Sequence, residues 1–99
     1  MIVNEIIFLP PARKYLKKIK DTKLKKIFQD TLEAIRIDPT IGQLKTGDLN
    51  GIYAYGFRYQ STDYRIAYKV SVNEDGTLTI VIMIGSRENF YNELKDYLN

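Results

Sequence analysis

The apolar positions of this chain change their period half-way along it. Ile2 to Phe8 is a short run rich in Ile, Val and Phe that ends at Pro10-Pro11, which predicts a strand followed by a helix, since proline fits a helix's first turn. Ala12, Tyr15, Leu16 and Ile19 then recur at helical spacing. Leu24, Ile27, Phe28, Thr31, Leu32 and Ile35 repeat the pattern after a cap at Asp21 or Thr22 and before a stop at Pro39. Two such stripes in succession predict a helical hairpin. From Pro39 to Gly51 the turn formers Gly42, Gly47, Asp48, Asn50 and Gly51 recur, so this stretch reads as one long loop.

Beyond the loop the period becomes two. Tyr53, Tyr55, Phe57 and Tyr59 alternate with Ala54, Gly56 and Arg58, and Tyr64, Ile66, Tyr68, Val70 and Val72 alternate with Arg65, Ala67, Lys69 and Ser71. Leu78, Ile80, Ile82 and Ile84 form a further strand after the turn Asn73-Glu74-Asp75-Gly76. Phe90, Tyr91, Leu94, Tyr97 and Leu98 mark a final amphipathic helix. The expected fold class is therefore α+β: a small antiparallel sheet packed against an N-terminal helical hairpin, with a C-terminal helix, in the order β-α-α-β-β-β-α. With 99 residues the chain is expected to be a single domain over 1–99.

Matching the apolar faces of neighbouring strands gives an expected register. Pairing Tyr59 with Tyr64 sets Arg58 opposite Arg65, Gly56 opposite Ala67 and Ala54 opposite Lys69, a shallow, basic face of small residues. Pairing Val70 with Ile80 and Ile66 with Ile84 brings Gly85-Ser86-Arg87 out of the sheet beside Arg65. Tyr91 lies four residues beyond Arg87, one helical turn on, if the helix has begun by then. Like charges directly opposite on a sheet are destabilising by roughly 0.2–1 kcal/mol, so folding alone supplies no reason for the arginine pair. Either the arginines splay into solvent or pair with Asp63, Glu88 or Asp48, or a phosphodiester occupies the gap, which the arginine fork fits and for which it stays charged. Tyr91 reads equally as a core aromatic, in line with Leu94 and Leu98, or as a hydroxyl donor to that site.

Composition narrows the chemistry. The chain has no Cys and no His, so disulfides, thiolate metal sites, cysteine nucleophiles and histidine bases are excluded. Acidic residues are spread singly, so no metal and no cofactor is expected. Fifteen Lys and Arg against twelve Asp and Glu give a net charge of +3, and the excess is concentrated: Arg13, Lys14, Lys17, Lys18, Lys20, Lys23, Lys25 and Lys26 face a single acid, Asp21. That run is either a solvated helical face or a surface for RNA or an acidic partner. The first residues carry no basic region ahead of an apolar run, and no apolar stretch reaches membrane-spanning length, so a cytoplasmic location without membrane association is expected. What remains is arginine stabilisation of a phosphoryl transition state, with a tyrosine, lysine or carboxylate moving the proton. RNA suits it because its 2′-hydroxyl is an internal nucleophile.

The element order, the segment Tyr64-Arg65-Ile66-Ala67-Tyr68-Lys69-Val70 and the segment Ile84-Gly85-Ser86-Arg87-Glu88-Asn89-Phe90-Tyr91 followed by Leu94 resemble the RelE/ParE superfamily of bacterial toxins from toxin–antitoxin pairs, over essentially the whole chain. The resemblance to the RelE branch implies a metal-independent endoribonuclease that cleaves mRNA in the ribosomal A site, with a cognate antitoxin as protein partner. It implies catalytic roles for Arg65, Arg87 and Tyr91, and Arg58 fits the position of a basic residue on the preceding strand; Arg58, Lys69 and Glu88 are expected to bind substrate. The RelE branch carries a pair of lysines on the strand that here reads Tyr53-Ala54-Tyr55-Gly56-Phe57-Arg58-Tyr59. The general base is accordingly unassigned, with Glu88 the nearest candidate and Asp63 and Asp48 behind it. ParE-type members share the fold and inhibit DNA gyrase instead, and a non-catalytic member that only binds antitoxin or RNA is a third expectation.

Overall fold

The computed structural model describes residues 3–99; Ile2, assigned by its pattern to the first strand, lies outside the described residues. Strand β1 (Val3–Phe8) leads into helices α1 (Pro10–Lys18) and α2 (Thr22–Ile37). A short β2 (Gln43–Leu44) precedes the long strands β3 (Tyr53–Tyr59), β4 (Thr62–Asn73) and β5 (Gly76–Ser86), and α3 (Phe90–Leu98) closes the chain. The helix boundaries follow the expected chemistry. Pro10 and Pro11 occupy the first turn of α1, and the Asp21 carboxylate accepts from the Lys23 and Leu24 amides at the head of α2. The same carboxylate accepts from the Tyr59 hydroxyl at 3.0 Å, so one acid fixes the helical hairpin to the end of β3. The amide of Leu24, foremost, holds this carboxyl below its usual range, while burial and then Asp21 push the Tyr59 hydroxyl up.

The five strands run in the order β1-β5-β4-β3-β2. The pairings of β3 with β4 and β4 with β5 are antiparallel as expected; β2, in the stretch read as loop, also pairs antiparallel with β3, and β1 adds to the outer edge of β5 in parallel, so the sheet is mixed and not purely antiparallel. The helical hairpin covers one face. Phe28, Leu32 and Ile35 pack there with Ile66, Tyr68, Val81 and Ile84 from the sheet. The other face receives α3 and the 47–52 segment, with Phe90, Leu94, Leu49 and Ile52 against Ala67, Ile82 and Met83.

Two registers differ from expectation. Tyr59 pairs with Thr62, not Tyr64, because Gln60 and Ser61 both take positive φ and close a two-residue turn. The whole β3–β4 ladder therefore slides by two: Arg58 faces Asp63, and Arg65 faces Gly56. In the second hairpin Ile66 does pair with Ile84, but a bulge on β5 at Ile82 shifts the rest by one, and Val70 meets Thr79. The bulge sends Ile82 and Met83 to the α3 face and leaves Val81 and Ile84 on the hairpin face.

The stretch read as a loop is tightly built. The Tyr68 hydroxyl donates to the Pro39 carbonyl at 2.6 Å and accepts from the Gly42 amide at 3.0 Å, reaching past Tyr53 of β3 on the hairpin face of the sheet. Burial pushes that hydroxyl up to about 12. With Leu49 and Ile52 buried, these bonds hold β2 against β3 as the fifth strand.

Candidate functional site

The cleft between β2, the upper halves of β3 and β4, and the start of α3 encloses about 450 Å³. Gln43, Lys45, Arg65, Arg87 and Tyr91 line it, over a floor of Ala54 and Gly56, and none of its lining residues is acidic. Each position has a local cause. Arg65 is the fourth residue of β4, and both of its cross-strand neighbours are glycine, Gly56 on β3 and Gly85 on β5. A β-carbon at Gly56 would collide with the guanidinium, so the bare strand leaves the space that Arg65 crosses. Its Nη1 donates to the Tyr64 carbonyl at 3.2 Å.

Arg87 leaves the sheet just beyond β5. Its amide donates to the Asp63 carbonyl at 2.7 Å, and its guanidinium lies 4.0 Å from the Asp63 carboxylate. The Arg87 side chain is 65% exposed, so this ion pair is weak and the guanidinium is available to a ligand. Asn89 takes a left-handed conformation, φ 60°, which asparagine tolerates, and turns the chain into α3. The helix thus starts after Arg87, at Phe90. It is this turn, not one helical repeat, that brings Tyr91 to the same cleft as Arg87. Phe90 goes into the core, and Tyr91 stays half-buried with its ring edge-on to Phe90 at 5.3 Å.

Arg65, Arg87 and Tyr91 are therefore brought together. Arg58, Lys69 and Glu88 are not among the cleft's lining residues. Arg58 faces Asp63 nearer the β3–β4 turn, with no arginine opposite it, so the expected like-charge pair does not form. Lys69 is exposed on the sheet opposite Ile80. Glu88 lines an adjoining depression with Ser61, Thr62, Asp63 and Ser86, which Arg87 also borders. Asp48 lies 3.7 Å from Lys95 of α3. Lys45 was missed by the sequence reading: in a stretch read as loop, nothing marks one lysine as inward-facing, and only the pairing of Gln43 with Ala54 gives it a face.

A mixed five-stranded sheet with a helical hairpin on one face and a basic, tyrosine-bearing cleft beside a C-terminal helix defines a small α+β protein with a cation-lined cleft. The chain belongs to the ParE-like toxins of type II bacterial toxin–antitoxin systems, whose family model matches residues 6–95. Among solved structures it is similar to a double-arginine mutant of the E. coli toxin RelE in the free state, with 20% identity over 99% of this chain and 100% of that one and a TM-score of 0.70. It is also similar to the YoeB/ParE toxin from Agrobacterium tumefaciens, with 16% identity over 84% of this chain and 98% of that one and a TM-score of 0.67. The RelBE2 toxin–antitoxin complex from Mycobacterium tuberculosis matches with 20% identity over 87% of this chain and 100% of that one and a TM-score of 0.62. No functionally curated protein sequence matches the chain. At these identities the likeness establishes the RelE/ParE fold, and the family match makes the chain the toxin of a toxin–antitoxin pair. No helix among the described residues is long and apolar enough to cross a membrane.

Proposed function

We propose that this toxin is an mRNA endoribonuclease that acts on the ribosome, with Arg65, Arg87 and Tyr91 as its catalytic group. The observation that carries this reading is the convergence of two arginines and a tyrosine on one cleft whose lining includes no carboxylate. A phosphodiester seated there meets guanidinium groups from two separate elements. Attack of the 2′-oxygen on phosphorus forms one P–O bond as the bond to the 5′-oxygen breaks, and the 2′-hydroxyl proton passes to solvent water, since no lining residue of the cleft is a carboxylate. Arg65 and Arg87 neutralise the charge that gathers on the non-bridging oxygens, a contribution worth about 10²–10³-fold per donor in comparable sites. The Tyr91 hydroxyl gives the departing 5′-oxygen its proton, or its ring stacks on a substrate base. The products are a 2′,3′-cyclic phosphate and a 5′-hydroxyl: the 2′-oxygen loses one proton to solvent and the 5′-oxygen gains one, from the Tyr91 hydroxyl, which solvent reprotonates, or from solvent itself where the ring stacks.

The whole chain acts as one toxin domain in the bacterial cytoplasm. Its antitoxin partner is inferred from the related RelBE2 toxin–antitoxin complex. The basic cleft suits an acidic segment of such a partner, which on folding there would cover Arg65 and Arg87.

Inducing the protein without its partner should arrest growth and produce breaks within translated messages, mapped by sequencing of RNA 5′ ends. Tyr91→Phe separates the two tyrosine roles: loss of cleavage assigns the hydroxyl, whereas cleavage kept in Tyr91→Phe and lost in Tyr91→Ala assigns stacking. Intact messages together with DNA damage dependent on gyrase would replace this reading with gyrase inhibition.

A further inference from the structure

We infer that Lys45 is the third cation of the cleft, contacting the substrate phosphate from just beyond β2 and seating the Tyr91 ring; the inference rests on the RNA reading above and adds a residue to it. Three observations carry it. The first is direction. Lys45 follows the β2–β3 pairs Gln43–Ala54 and Leu44–Tyr53, and its amide donates to the Ile52 carbonyl at 2.8 Å. Alternation then sends Gln43 and Lys45 into the cleft and leaves Leu44 outside it, 53% exposed.

The second is room. Of the β3 residues that line the cleft, Tyr55 packs its side chain against the hairpin-side core, and Ala54 and Gly56 reach into the cleft with one methyl group at most. A cation for this wall has to come from a neighbouring strand. Arg65 crosses from β4 over Gly56, and Lys45 enters from the opposite side, from the residue just after β2.

The third is partnership. The Lys45 ammonium lies 5.0 Å from the centroid of the Tyr91 ring and 3.4 Å from Oε1 of Gln43. Among the described residues no carboxylate pairs with it, although Lys26, Arg36, Arg87 and Lys95 each have one. A half-buried ammonium held by a ring face and an amide oxygen retains donor capacity toward an anion in the same cavity, because lysine carries three donors. The ring contact also limits the positions Tyr91 can take, so the ammonium links substrate charge to tyrosine placement.

The test uses the full-length protein and two probes. One is a short fluorescent RNA with 2′-O-methyl sugars, which cannot be cleaved, titrated across a range of KCl. The other is ribosome-programmed mRNA. Lys45→Met keeps most of the stem over the ring and removes the charge, and Lys45→Arg restores charge; thermal melting shows that each variant folds. Lys45→Met is expected to lower the slope of log K against log [KCl] by about 0.7, one single-strand phosphate contact. It should also slow cleavage about 10- to 100-fold, with Lys45→Arg recovering most of both. A variant that folds, binds with the wild-type slope and cleaves at the wild-type rate overturns the Lys45 assignment alone. Absence of both binding and cleavage in the wild-type protein overturns the RNA reading, and the assignment with it.

Discussion

Arg65 is flanked across both of its strand neighbours by glycine, and that pairing decides what its side chain can do. Gly56 is exposed on β3 and its backbone needs no positive φ, so the glycine serves space and not conformation. Gly56→Ala therefore places a methyl group where the guanidinium lies. The strand itself should tolerate it, with stability unchanged or raised by up to about 1 kcal/mol, since alanine loses less backbone freedom on folding. The arginine, displaced from its seat, should lose most of its contribution, so that Gly56→Ala approaches Arg65→Ala in cleavage rate while melting at or above the wild-type temperature. Wild-type cleavage in Gly56→Ala would mean that Arg65 works from a different position.

Among the elements, the 39–51 segment supplies Gln43 and Lys45 to the cleft and was the least legible. Glycines and polar residues spaced through it give no period, so neither the strand pairing of Gln43 and Leu44 nor the burial of Leu49 has a local signal. What orders it is distant in sequence: the Tyr68 hydroxyl, which holds the Pro39 carbonyl and the Gly42 amide. Tyr68→Phe leaves those two backbone groups unsatisfied and should cost about 1–3 kcal/mol at neutral pH, seen in chemical denaturation. The hydroxyl also gives a pH signature. In the folded protein it is raised from 10.0 to about 12, so between those values the unfolded chain has lost the proton that the native state keeps. Stability should fall as pH rises from 10 toward 12, and the fall should be shallower in Tyr68→Phe than in wild type. Parallel curves for the two proteins would remove Tyr68 from the alkaline transition. The β3–β4 turn failed to show for a related reason: Gln60-Ser61 is not a pair that favours positive φ, and the apolar faces of Tyr59 and Tyr64 match equally well one pleat away.

At the level of the whole molecule, the helical hairpin, the three long strands and the C-terminal helix were legible because each carries one strongly apolar face. Arg65, Arg87 and Tyr91 were legible as a group because the strand ends and the final helix bring them to one end of the sheet under either register. Arg58 was misplaced, since its position depends on the slip by two. Lys45 and the parallel pairing of β1 with β5 depend on contacts between distant segments, which no local pattern records. The distribution of charge now has two parts. Lysines and arginines crowd the helical hairpin, where Asp21 is engaged as a cap, and a second, smaller group faces the cleft on the other side of the sheet.

The central claim is that this cleft cleaves RNA through the message's own 2′-hydroxyl. The most direct measurement is cleavage by the purified toxin of mRNA on reconstituted ribosomes, comparing an all-ribose message with one that carries a single 2′-deoxy sugar at the mapped break. The expected result is a 2′,3′-cyclic phosphate from the ribose message and none from the deoxy message. Arg65→Ala and Arg87→Ala should each be slower by about 10²-fold or more at nearly wild-type stability. Equal cleavage of both messages would contradict the 2′-hydroxyl chemistry, and intact messages with inhibited gyrase supercoiling would contradict the ribonuclease itself.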